Sequence, residues 1–80
     1  MDLATLQAKI TQLARLFTVD MPLREAMRQK SELGCVLLHT QEFFLAEEYT
    51  SLLAGCGLSQ QAGRDCITYM LKRHAFRWTR

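Results

Sequence analysis

Residues 33–54 read LGCVLLHTQEFFLAEEYTSLLA, and this run decides the fold class. Leu33, Val36, Leu37 and Leu38 surround Gly34 and Cys35 at helical spacing, so the first half is apolar nearly all round. A helix of that kind is buried on more than one side. Thr40-Gln41 is a short polar connection, with Thr40 placed to cap the next helix. A second helical pattern then runs through Phe43, Ala46, Tyr49 or Thr50, and Leu53, and Gly55-Cys56-Gly57 stops it. Two helices joined by so short a link lie antiparallel.

On the N-terminal side, Pro22 fits the first turn of a helix and Asp20 is a cap just before it. Leu3, Leu6, Ile10, Leu13 and Phe17 repeat at three and four, which is one apolar stripe on an earlier helix. On the C-terminal side, Ser59 caps a last helix whose stripe is Ala62, Cys66, Ile67, Met70 and Leu71. No stretch alternates at period two for long enough to be a strand. The pattern predicts a single all-α domain over residues 1–80, with four antiparallel helices at about 2–19, 22–39, 42–54 and 59–75.

The composition fits one small folded unit. The chain has 80 residues, 49% apolar and 22% charged, with a net charge of +2. That is too short for a large catalytic domain and too apolar for a disordered segment. The start, MDLATLQAKI, lacks a basic opening and an unbroken apolar stretch, so no secretory leader is expected. Apolar runs are a few residues long, against roughly 20 for a membrane span, which makes a soluble, cytoplasmic protein the expectation. Cys35, Cys56 and Cys66 are odd in number and sit among apolar neighbours, as reduced core thiols do. Cys35 and His39 are four residues apart on a helix, but a zinc site needs two further ligands that the spacing does not supply. No metal and no cofactor is expected. Ser59 has no paired base, Glu47 and Glu48 point about 100° apart on a helix, and Gly55 and Gly57 are not followed by a phosphate-loop Gly-Lys-Ser. The sequence offers an enzyme no constellation to work with.

Leu33, Gly34, Phe43 and Ala46, followed by Glu48 and Tyr49, resemble the central part of a tetratricopeptide repeat, over residues of about 27–58. The resemblance implies a helical hairpin with flanking helices. Gly34 would let its two helices approach, Phe43 would fill the bend, and Ala46 would let the second helix lie on the first. Size and pattern also resemble the small cochaperones of bacterial type III secretion, which implies a chaperone or adaptor that holds an amphipathic helix of a partner. Carried onto this sequence, the holding face comprises Arg28, Ser31, Cys35, Leu38 and His39. The partner is another protein or a second copy of this chain, because four amphipathic segments in so short a chain barely bury their own stripes.

Residues 52–67, LLAGCGLSQQAGRDCI, carry a rival pattern. Gly57, Leu58 and Ser59 resemble the turn of a helix-turn-helix DNA-binding motif, which would place Gln60, Gln61 and Arg64 at base edges in the major groove. From residue 64 onward, Arg64, Lys72, Arg73, Arg77 and Arg80 face one acid, Asp65. The acids Glu42, Glu47 and Glu48, and the modest net charge, weigh against duplex binding and toward a protein partner. Phe76 and Trp78 stand beside arginines at the end of the chain, and are candidate anchors for such a partner.

Overall fold

The computed structural model describes residues 2–78, with side chains described through residue 75. It is all-α, with four helices and no strand among the described residues. The helices are α1 (Leu3–Ala14), α2 (Leu23–Gln41), α3 (Ala46–Gly55) and α4 (Gln60–Trp78). A 3-10 turn at Arg15–Phe17 follows α1.

Each boundary has a local cause. Asp2 caps α1, its carboxylate accepting the Thr5 N–H at 2.7 Å. The first helix stops at Ala14 rather than running to 19, because Thr18, Val19 and Asp20 are poor helix formers and Pro22 biases the residue before it away from the helical region. Asp20 does not cap α2; Pro22 takes that position with extended backbone and no side-chain hydrogen bond. Thr40 is not a cap either. It is buried within α2, and its hydroxyl donates to the Val36 carbonyl at 2.7 Å. The chain keeps turning through Glu42 and Phe43, whose N–H groups donate to His39 and Thr40, so α3 starts four residues later than the spacing predicts. Leu45 opens α3, and the Glu48 carboxylate accepts its N–H at 2.9 Å.

The end of α3 is a Schellman turn. Leu58 N–H donates to the Leu53 carbonyl at 2.9 Å and Gly57 N–H to Ala54 at 3.1 Å, with Gly57 at φ +74°. Ser59 then caps α4 as the sequence predicts, accepting the Ala62 N–H at 3.1 Å. Gly57→Ala is expected to lower unfolding stability by about 1–2 kcal/mol, the cost of a left-handed backbone at a residue with a Cβ; urea unfolding measures it.

Helix α2 is the spine. The fully buried core side chains are Ile10 from α1, Leu33 and Leu37 from α2, Leu53 from α3 and Cys66 from α4. Helix α4 runs antiparallel along one flank of α2: Leu37 approaches the Gly63 position, Gly34 lies against Cys66 and Met70, and Lys30 sits over the Tyr69 ring at 5.2 Å. Helix α1 lies on the other flank, where Lys9 pairs with Glu32 at 2.9 Å.

This packing differs from the hairpin that the repeat resemblance implies. Gly34 makes its close approach to α4, not to α3. Phe43 is 80% exposed and fills no bend, and Ala46 is exposed on α3. The reason is that α2 and α4 are the two long helices and bury the most against each other. The short link before α3 leaves Phe43 outside the core.

Candidate functional site

The face assigned to partner binding lies on α2, away from Leu33 and Leu37. Arg28, Cys35 and His39 are exposed there, and Ser31 is half-buried. Leu38 is not on that surface in the same sense, since it packs half-buried against the core. Arg28 is no open cation. It hydrogen-bonds Glu25 and pairs with Glu32 at 3.1 Å, and Glu32 in turn holds Lys9. The Arg28 hydrogen bonds, with a further one from Gln29, hold the Glu25 carboxyl at about 2. The stripe is therefore largely charge-balanced, and its residues do not share one concavity: Arg28 and Ser31 line a cleft at one end of α2 and His39 a groove at the other. Phe76 and Trp78 lie outside the residues whose side chains are described.

The thiols divide. Cys56 and Cys66 are buried, as read from their apolar neighbours, and Cys35 is exposed because it falls on the outer side of α2. Burial pushes the Cys66 thiol up to about 11. A thiol reagent is expected to titrate one group rapidly in the folded protein, Cys35, and the other two only when denaturant opens the core. Cys35→Ser removes the fast phase. Among the described residues, no three His, Cys, Asp or Glu side chains converge on one point.

The most apolar concavity lies elsewhere, where α1 meets the corner between α2 and α3. It is a groove of about 590 Å³ lined by Leu3 and Leu6 of α1, Val36, His39 and Thr40 of α2, and Phe43 and Phe44 of the link. Leu3 is 52% exposed and Phe43 80%, and Leu45 beside them is 74% exposed. Across Leu3 and Phe44 it continues into a shallower trough lined by Gln7, Glu47, Glu48, Ser51 and Leu52. The lining of both parts holds two carboxylates and no Lys or Arg.

No family model, curated protein or solved structure matches this chain.

Of the residues that the sequence assigns to partner binding, the groove contains only His39. It brings together Leu3, Leu6 and Phe43, which periodicity assigns to buried stripes, and Phe44, to which it assigns nothing. One signal points to it: Phe43-Phe44-Leu45 is a run of three large apolar residues in a connection, where polar residues are usual.

A second cleft lies at the opposite end of α2, between its first turns and the last described turns of α4. Leu23, Arg24, Met27, Arg28, Ser31, Arg73 and His74 line it. Leu23 is 75% exposed. The guanidinium of Arg73 sits 5.8 Å from the Tyr69 ring centre. The lining carries three arginines and no acid.

The helix-turn-helix candidates Gln60, Gln61 and Arg64 are all exposed at the start of α4. Their polar ends are already engaged: Gln60 donates to the Thr50 hydroxyl, Gln61 donates to Asp65 at 2.9 Å, and Arg64 donates to Gln61 at 3.0 Å. No helix among the described residues is long and apolar enough to cross a membrane.

Proposed function

We propose that this protein is a small protein-binding module that holds an apolar helical segment of a partner in the groove between α1 and the α2–α3 corner. The supporting observation is the groove itself, open to solvent and lined by Leu3, Leu6, Val36, Phe43 and Phe44. Exposed apolar patches rimmed by polar groups mark interaction sites, and helix-in-groove recognition needs such a trough for anchors spaced at i and i+4. This moves the holding surface away from the Arg28–His39 stripe, but keeps the adaptor or chaperone role.

A photo-crosslinking amino acid at position 43 tests it in the protein's own host cells. A discrete protein adduct is expected at position 43 and not at exposed Thr11, on the opposite half of α1. Leu3→Glu should remove that adduct while leaving the helical dichroism unchanged, because Leu3 contributes to the groove more than to the core. An adduct of equal strength at both positions, or none at 43, overturns the reading. Recovery instead of a duplex complex lost on Gln61→Ala and Arg64→Ala would favour the DNA-binding alternative.

A further inference from the structure

Two of the concave surfaces among the described residues, the groove with its trough and the cleft at the other end of α2, are opposite in charge and both partly apolar. A third, lined by Gln41, Tyr49, Gln60 and Arg64, adjoins Phe44 on the α4 side. The groove at the C-terminal end of α2 is edged by Glu47 and Glu48, with Glu42 exposed beside Phe43. The cleft at the N-terminal end offers Leu23 and Met27, one helical turn apart, with Arg24 and Arg73 beside them. Leu23 and Met27 are 75% and 39% exposed. At i and i+4 they form one ridge on the surface of a helix. Arg24 and Arg73 make no ion pair among the described residues, and Arg73 donates a hydrogen bond to the neutral Tyr69 hydroxyl. The first two turns of α2 thus have the chemistry that the groove lacks: an apolar ridge with cations alongside.

From this complementarity we infer that the occupant of the groove is a second copy of this chain, whose Leu23–Met27 ridge seats against Leu3, Phe43 and Phe44 while Arg24 and Arg73 face Glu47 and Glu42. This rests on the groove reading above and names its partner. The centres of the two surfaces are about 20 Å apart along α2, from the rise over the thirteen-residue offset between Leu23–Met27 and Val36–Thr40. They also lie on different sides: the ridge shares its cleft with α4, and the groove is shared with α1. Two copies cannot satisfy both contacts with each other by a single two-fold axis when the patches face apart. The contact is therefore head-to-tail, and it adds copies in series or closes a ring. Charged pairs around an apolar contact set its register and its salt dependence.

Sedimentation velocity with charge-swapped variants decides the matter. Wild type should grow beyond a dimer as concentration rises, and the association should weaken at least about tenfold between low and high salt. Glu42→Lys with Glu47→Lys converts the groove edge, and Arg24→Glu with Arg73→Glu converts the ridge. Glu48 is left in place because it caps α3. Each double variant alone should be a folded monomer. Mixed one to one, they should associate again, since the altered groove of one meets the altered ridge of the other. A mixture that stays monomeric, with both variants helical, overturns the inference, as does a wild type that stays monomeric throughout. A monomeric wild type that still gives a crosslinked adduct to a different protein at position 43 refutes self-association alone and leaves the groove reading standing. Loss of both refutes both.

Discussion

Gly34→Ala is expected to destabilise the domain, and Gly34→Leu to prevent its folding. A methyl at this position would collide with the Cys66 carbonyl and lie 2.8 Å from Cys66 C and from Met70 Cβ. The obstruction is mostly backbone of α4, which cannot swing aside as a side-chain tip does. Alanine brings about 1 kcal/mol of helix propensity, but the two long helices must part to admit it. That loosens Leu33 and Leu37, both fully buried, along the same seam. Overpacking of this kind costs about 1–3 kcal/mol for one or two methylenes and more for a leucine. A chain of this length has roughly 4–12 kcal/mol to lose. Gly55→Ala is the control, because nothing stands within 4 Å of its Cβ position and its φ is not positive. It should stabilise by about 0.4–1 kcal/mol. Urea unfolding followed by helical dichroism separates the three variants. A Gly34→Ala protein as stable as wild type would remove the close crossing of α2 and α4.

The same glycine shows what is legible in the sequence. The four helices can be read from periodicity and stops, since Leu33 and Leu37, Ile10 and Leu13, and Cys66 and Met70 repeat at helical spacing and are all buried. The need for a small residue at position 34 is legible too, but its partner is not. Periodicity describes one helix at a time and is silent on which neighbour a face meets. Phe43 and Leu3 show the converse limit. Both continue an apolar stripe, yet both sit where a helix begins or a link turns outward, beyond the reach of the facing helix. A stripe that overruns its partner is left exposed, and here two such ends, with Phe44, make the groove. Arg28 reads as a binding cation on its type alone. Its acids Glu25 and Glu32, three before and four after it, stand at ion-pairing distance in the sequence and predict its neutralisation.

Leu37→Ala carries the other large expected effect, and the adjoining glycine makes it diagnostic. Leu37 is fully buried between α2, α3 and α4, so its truncation should cost about 2–5 kcal/mol, with the larger values if the walls fail to close. A Cβ at Gly63 would stand 3.5 Å from Leu37 Cδ1 and 3.2 Å from Leu53 Cδ1. Those neighbours are methyl groups at the ends of leucine side chains, which can shift by a few tenths of an ångström. Gly63→Ala alone should therefore be close to neutral, with helix propensity of about 1 kcal/mol offsetting the tight contact. Combined with Leu37→Ala, the new methyl adjoins space that Leu37 has vacated and is left with Leu53 and, at 3.8 Å, the Tyr49 hydroxyl as neighbours. The double variant should then be more stable than the sum of the two single changes by about 0.5–1 kcal/mol, as neighbouring sites that share a cavity couple. A double-mutant cycle in urea measures that coupling. Strict additivity would mean that the Leu37 cavity opens away from Gly63, and that α3 and α4 meet α2 on separate surfaces instead of around one shared core.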